Sequence, residues 1–330
     1  MLKKELLISN IQLPTKILIF AKSYKSSLKM LGRRQIREKV VQTLYSYHQN
    51  PIKTDVLEKN MFTEIEKIYH LYIYQLNFLV ALKDLAENQI GIAKNKYIKT
   101  EEDLNPNLKF VNNQVLMQLE QNEERLSFTS KHKNLNWELH DDLLVKTFQR
   151  IVAGKRYQDY MEDSNLSFED DQKFIGKLFL RYIAENEDFH DRLEAMELSW
   201  ADDFHIANSM VQKTIGFMKQ DQPSHTLIKM IKDLDDRNFA KKLLIQSISH
   251  WDSIEKKVED RLENWDLDRI SLMDKIILIA AISELDFFPL TPARVIINEF
   301  IEISKVFATE KSQIFVNGIL DKYTKDISRA

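Results

Sequence analysis

The hydrophobic residues of this chain recur mostly at intervals of three or four positions, which is the spacing of one face of an α-helix. Residues 33–47 carry such a stripe, formed by Ile36, Val40 and Leu44. A longer stripe predicts a second helix of about thirty residues. Its members are Leu57, Met61, Ile65, Ile68, Tyr72, Leu76 and Leu79. Both stripes predict helices that pack along one apolar face.

Polar segments interrupt this pattern in the middle of the chain. Residues 95–107 and 130–136 are rich in Asn and Lys, and the first of them contains Pro106, so both predict loops. Between and after these loops we predict helices near 111–126 and 138–160.

The last third of the chain has the most regular pattern. Apolar residues from Leu267 to Leu285 predict a central helix that ends before Pro289. Thr291 and Pro292 then predict an N-cap and a first helical residue. The inward positions of that helix are Val295, Ile296, Phe300, Ile303 and Phe307.

A last helix is predicted from a cap at Thr309 to Tyr323. Asn317-Gly318 within it is a hairpin signal by local propensity. We nevertheless predict a helix, because Phe315 and Ile319 keep helical spacing, and we expect the glycine to let a neighbouring helix approach closely.

Composition supports an all-α fold. Six Gly and six Pro in 330 residues leave few sharp turns, which disfavours a many-stranded sheet. The net charge is -3, with 47 basic and 50 acidic residues, so any nucleic-acid surface is expected to be a local patch.

The absence of cysteine excludes disulfides, thiolate zinc sites and thiol nucleophiles, and it fits a reducing cytosol. The apolar run at 17–21 is far shorter than the roughly 18 to 20 residues that span a bilayer. We therefore expect a cytoplasmic protein that does not cross a membrane, with residues 1–29 as an N-terminal extension.

Residues 170–200 and 235–265 match at a constant shift of 65 positions, with eight identities. Average composition would give about two identities by chance in such a window. The match indicates either a duplicated helical pair or the apolar spacing that any two helical hairpins share, and the sequence leaves both explanations open.

One group of residues suggests metal chemistry. Glu187 and His190 are followed by Asp202 and His205, which is similar in spacing to the Glu-x-x-His motifs of helical di-iron proteins. The second motif has Asp, and the two lie close together in sequence, so we interpret them as surface charges. We predict no metal, no cofactor and no catalysis.

Two stretches at opposite ends of the chain resemble the NusB family of transcription antitermination factors. The first, Arg33 to Tyr45, is similar to the arginine-rich first helix of the family. The second, Trp265 to Lys322, contains Ile297-Asn298-Glu299 and the run Phe315-Val316-Asn317-Gly318-Ile319-Leu320-Asp321-Lys322. The combination is more specific than an arginine cluster alone.

The resemblance implies a NusB-like helical bundle formed by residues 30–51 and 235–330. Short family members have only a brief connection where this chain has residues 52–234. We therefore predict that 52–234 is an inserted helical region, and the internal repeat suggests that it is a degenerate duplicate of the family's hairpins.

A cluster of arginines begins the first predicted helix, where the helix dipole disfavours each cation by about 0.3 to 1 kcal/mol. Phosphate would offset this cost, because guanidinium pairs with it bidentately and free backbone amides can donate to it. A solvated basic turn is the alternative. Because the family's first helix contributes to binding the boxA RNA element, we assign RNA binding to Arg33, Arg34, Arg37, Lys39 and Asn317.

The resemblance also implies a partner, NusE, which is a small-subunit ribosomal protein. The positions that match the family's docking surface are Tyr45 and Asp274. We thus expect an adaptor for boxA-like single-stranded RNA, NusE and the transcription elongation complex, which supports transcription of ribosomal RNA. A helical protein-protein scaffold without RNA binding is the alternative.

Overall fold

The computed structural model describes residues 33–164, 167–222, 227–229, 231–262 and 270–327. Within these ranges the regular secondary structure is helical and no β-strand is formed, so the all-α prediction is confirmed. No helix among these residues is long and apolar enough to cross a lipid bilayer.

Contacts divide the chain into two compact units, which among the described residues are 33–249 and 250–327. The helices of the first unit are α1 Arg33–Gln49, α2 Thr54–Lys94, α3 Glu101–Leu104, α4 Gln114–Glu120, α5 Glu123–Lys131, α6 Asp142–Val152, α7 Lys155–Glu162, α8 Phe168–Phe179, α9 Glu187–Met196, α10 Trp200–Phe217 and α11 Leu234–Ser249. Those of the second unit are α12 Trp251–Glu259, α13 Leu272–Phe287, α14 Ala293–Phe307 and α15 Glu310–Ile327.

The first unit is built around α2, a helix of 41 residues. Every residue from Leu71 to Lys83 is buried, as expected for a helix whose middle is surrounded by others. Helices α1, α4, α6 and α10 pack against it. Buried polar groups on α2 find partners on these neighbours; for example, Gln75 Nε2 donates to Asn208 Oδ1 at 2.7 Å.

The second unit is built around α13, which is buried at every position from Ile276 to Glu284. Helices α12, α14 and α15 pack against it. Ser271 caps α13 by accepting a hydrogen bond from the Asp274 amide at 3.1 Å. Pro292 is the N-cap of α14, so this helix begins one residue later than we predicted.

The structure confirms the helix at Asn317-Gly318 but not our reason for the glycine. Both residues lie inside α15, and Val316 and Leu320 supply its buried face. A Cβ added at Gly318 would meet no atom within 4 Å. Close approach of a neighbouring helix therefore does not require this glycine.

Two segments that we predicted as helical are each divided into two helices. Residues 111–126 contain the whole of α4 and the start of α5, separated at Asn122, whose side chain accepts from the Arg125 amide at 2.9 Å. Residues 138–160 contain α6 and α7, separated at Gly154. Asn122 marks the first break and Gly154 the second. Both residue types commonly end or begin helices, so the sequence did contain signals for the two breaks.

The two segments that match at a shift of 65 positions also have matching helix ends and matching buried residues. A π-helical turn continues α8 to Ala184, and α11 ends at the matching Ser249. The pairs of buried residues that coincide are Phe174 and Phe239, Ile175 and Ala240, Leu178 and Leu243, Phe179 and Leu244, Phe189 and Ile254, and Leu193 and Val258. Both a duplicated helical pair and the apolar spacing shared by any two helical hairpins account for this agreement, so duplication stays a prediction.

The predicted domain division joined residues 30–51 to 235–330. Helix α1 does pack against α11, as that division requires. It also contacts α2, and residues 52–234 share the first unit with both helices. The bounds of the NusB-like domain stay a prediction.

Candidate nucleic-acid interface

The first turn of α1 faces the first turns of α11. The Arg33 side chain is 46% exposed, and its Nε lies 3.9 Å from Asp236 Oδ1. The guanidinium carbon of Arg33 is 4.9 Å from the centre of the Phe239 ring, and that of Arg37 is 5.1 Å from it. Arg37 is buried, whereas Arg34 is half-buried.

Lys39 lies inside the first unit, where it forms an ion pair with α10. Its Nζ is 2.7 Å from Asp203 Oδ2, and both side chains are buried. Burial raises the pKa of Asp203 to about 6, although the Lys39 ammonium opposes this shift. The other Asp203 oxygen has no hydrogen-bond partner among the described residues.

A second acid-base contact joins the same two helices. His205 Nε2 on α10 lies 2.8 Å from Glu38 Oε2 on α1. Burial alone would lower the pKa of His205, but the Glu38 carboxylate outweighs it, and the pKa is raised. We therefore expect the imidazolium to hold α1 against α10.

This pair predicts a pH dependence of stability. Because the folded pKa of His205 lies above its ordinary value of 6.5, the stabilisation is present below that value and is lost as the pH rises through the folded pKa. We expect the difference in unfolding free energy between wild type and His205→Gln to be largest near about pH 6 and to shrink towards about pH 9. Urea unfolding measures it, and a difference that grows with pH would contradict the assignment.

These contacts change the expected RNA-binding set on α1. We predicted direct contacts from Arg33, Arg34, Arg37 and Lys39, yet Arg37 and Lys39 are both buried. Contact of either residue with RNA stays a prediction and would require the side chain to leave its present surroundings. The candidates for direct contact at the start of α1 are Arg33 and Arg34.

The remaining predicted RNA-binding residue lies in the second unit. Asn317 is half-buried on α15, as is Phe315, while Val316 between them is fully buried. Asn317 can therefore present its amide at the surface of this unit.

The two predicted partner-binding residues differ in accessibility. Tyr45 is 38% exposed on α1, away from the buried stripe. Asp274 is buried at the start of α13, where its Oδ2 accepts a hydrogen bond from Ser312 Oγ at 3.0 Å. Only Tyr45 has the exposure that direct docking requires.

The histidines of the two predicted motifs have separate surroundings. His190 stacks on Phe204 at 4.4 Å between ring centres, and burial lowers its pKa. His205 instead contacts Glu38. In the described ranges no three His, Cys, Asp or Glu side chains converge as metal ligands. Glu187 and Asp202 are exposed, as our interpretation of surface charges requires. The two histidines are half-buried and each contacts another side chain, which that interpretation did not include.

Sequence reasoning missed the groups that cover α1. Asp203 lies 164 positions from Lys39, and Phe239 contacts both Arg33 and Arg37 from α11. Nothing local indicates such pairings, because they depend on which helices become neighbours in the fold.

Comparison with known proteins identifies the family. The profile described as the NusB family matches residues 191–325. A transcription antitermination protein NusB of Methylacidiphilum infernorum is 41% identical over 97 residues, covering 29% of this chain and 68% of the relative. The corresponding protein of Lysinibacillus sphaericus is 37% identical over 95 residues, covering 29% and 75%.

A further relative extends the match. The NusB protein of Koribacter versatilis is 32% identical over 120 residues, covering 36% of this chain and 82% of the relative. No solved structure gives a significant match. The family match includes residues 191–234, which we predicted to lie in the insert. The helical fold and the similarity to these relatives show that the chain belongs to the NusB family.

Proposed function

We propose that this chain is an RNA-binding transcription antitermination factor that catalyses no reaction. It binds boxA-like single-stranded RNA together with NusE and supports transcription of ribosomal RNA by RNA polymerase. Membership of the NusB family supports this proposal, and so do the curated relatives, each named a transcription antitermination protein.

The observation that carries the RNA-binding part is the position of Arg33 and Arg34. They occupy the first turn of α1, which contains no acidic residue, and Arg33 is about half exposed. Free backbone amides of a helix start and guanidinium groups both favour phosphate oxygens. The start of α1 is therefore the proposed contact with the RNA backbone.

Titration with a labelled boxA-like RNA tests this contact. In the double variant Arg33→Ala, Arg34→Ala we expect affinity at low salt to fall about tenfold, because two phosphate contacts are lost. The slope of log affinity against log salt should decrease in magnitude by about 1.4, which is about 0.7 for each phosphate on a single strand.

The matched control is Arg150→Ala, Arg156→Ala. These two arginines are exposed on α6 and α7 of the same unit, so the net charge changes equally. We expect RNA affinity close to that of wild type. If the Arg33 and Arg34 variant also binds RNA like wild type, the proposed contact is rejected.

For NusE we propose Tyr45 as a direct contact. Asp274 would act indirectly, since its hydrogen bond to Ser312 positions the start of α15. Both assignments rest on the family resemblance.

A protein scaffold without RNA binding is the second candidate, and a groove in the first unit favours it. The groove has a volume of about 810 Å³ and is lined by Phe62, Tyr69 and Phe128 together with charges of both signs. Wild-type protein that ignores RNA at low ionic strength would favour this candidate.

A further inference from the structure

The turn between α2 and α3 carries large apolar side chains that the first unit leaves uncovered. Tyr97 is fully exposed and Ile98 is 82% exposed, and Ile92 and Leu104 beside them are exposed as well. Single exposed apolar residues are ordinary on a protein surface, but several at one turn are typical of a contact with another molecule. Residues 92–104 thus form an apolar tip on the first unit.

Local contacts stabilise the backbone of the apolar tip. Lys96 Nζ lies 2.9 Å from Asp103 Oδ1, so an ion pair joins the two sides of the turn. Thr100 caps α3, because its hydroxyl accepts from the Asp103 amide at 3.2 Å while Asp103 Oδ2 accepts from the Thr100 amide at 2.9 Å. Tyr97 and Ile98 therefore project from an ordered turn, and binding a partner there requires little further ordering of the chain.

Charged residues of opposite sign precede and follow the exposed apolar pair. Lys94 and Lys99 are exposed on the side of α2, and Glu101 and Glu102 are exposed at the start of α3. In the part of the chain that the structure describes, these four side chains form no ion pair and no hydrogen bond. Residues 92–104 contain three basic and three acidic side chains in all, so the tip has no net charge that would attract RNA or an anionic membrane.

We propose that the apolar tip is an interface between two copies of this chain. A two-fold axis through Tyr97 and Ile98 brings this pair against the same pair of the second copy, as in an isologous contact. When the axis lies across the direction from the lysines to the glutamates, the basic side of each copy faces the acidic side of the other. A different protein would need its own matching pattern, whereas a second copy supplies that pattern by symmetry.

The proposal does not depend on RNA binding. The tip lies outside residues 191–325, which match the family, so the interface belongs to the additional region of this chain. Because the patch is small, we expect a weak and reversible dimer with a dissociation constant on the order of 100 µM.

Sedimentation equilibrium of the full chain over a range of concentrations tests this interface. We expect wild type to change from monomer to dimer as its concentration rises to about 500 µM, several times the expected dissociation constant. In the double variant Tyr97→Ser, Ile98→Ser the dissociation constant should rise at least about tenfold, because the apolar centre of the contact is lost. Both residues are exposed, so the circular dichroism spectrum and the melting temperature should stay unchanged.

The matched control is Leu198→Ser, Phe217→Ser. These two apolar residues are also exposed on the first unit but lie elsewhere in it. We expect this control to dimerise like wild type. Wild type that stays monomeric throughout, or a tip variant that dimerises as well as the control, would overturn the proposal.

Reversing the charges tests the two-fold arrangement. Lys94→Glu, Lys99→Glu leaves only acidic side chains free on the tip, and Glu101→Lys, Glu102→Lys leaves only basic ones. Each variant alone should associate more weakly than wild type, because like charges then face each other. An equimolar mixture, with one variant fluorescently labelled, should recover dimers at least as stable as those of wild type. No recovery in the mixture would reject the pairing of basic and acidic sides that the proposal requires.

RNA titration of Tyr97→Ser, Ile98→Ser separates this interface from an RNA contact. We expect RNA affinity to equal that of wild type while dimerisation is lost. If wild type stays monomeric and the variant binds RNA more weakly, the tip contacts RNA and the proposal is rejected. If wild type binds no RNA yet still dimerises through the tip, the proposed function fails and the interface stands.

Discussion

Replacing Asp203 by alanine is expected to destabilise the first unit by about 3 to 5 kcal/mol, because the variant leaves the Lys39 ammonium buried without its carboxylate. This cost is a large part of the stability of an ordinary domain. Urea unfolding of the full chain, followed by tryptophan fluorescence and circular dichroism, measures it.

Two variants show whether the effect comes from the buried pair. Glu138→Ala breaks an exposed contact with His140 and should change the unfolding free energy by less than about 0.5 kcal/mol. The double variant Lys39→Met, Asp203→Leu should recover most of the loss, since neither charge remains buried. A cost for Asp203→Ala below about 1 kcal/mol would show that Lys39 finds another partner or reaches water.

Replacing Phe239 by alanine is expected to cost about 3 to 5 kcal/mol, the range for removing a buried aromatic ring. Phe239 belongs to α11 and faces the start of α1, where its ring contacts the guanidinium groups of Arg33 and Arg37. The same unfolding experiment measures the cost.

The control for Phe239 is Phe217→Ala, because Phe217 is 67% exposed at the end of α10. We expect a change within about 0.5 kcal/mol. Phe239→Leu keeps an apolar side chain but removes the ring, so a loss of about 1 to 2 kcal/mol would be consistent with the lost stacking of the arginines. If Phe239→Ala were as mild as Phe217→Ala, the packing of α1 on α11 would contribute little.

Most of the helices could be predicted from the sequence, because local spacing and capping residues act within a few positions. The stripe of Ile36, Val40 and Leu44 is buried as expected. The long helix α2 and the central α13 were also recognisable, although α2 has 41 residues and is longer than the helix of about thirty that we predicted. The missed divisions at Asn122 and Gly154 came from giving apolar spacing more weight than local breaking residues.

The candidate site was only partly predictable. The arginine-rich start of α1 was visible in the sequence, and Arg33 and Arg34 remain candidates for RNA contact. The burial of Arg37 and Lys39 was not visible, because an amphipathic pattern describes one apolar face and says nothing about what covers the other. In the structure every residue from Gln35 to Val41 is buried.

The sequence by itself determined the all-α class, the positions of the main helices and the family, since these depend on short-range spacing and on contiguous motifs. The tertiary structure decided which cations are buried against a carboxylate, as Lys39 is against Asp203, and which stay partly exposed, as Arg33 does. That distinction depends on residues such as Asp203 and Phe239, which are far apart in sequence and meet only when α10 and α11 pack around α1. Burial then makes these contacts matter, because a charge without a partner is costly only where water cannot reach it.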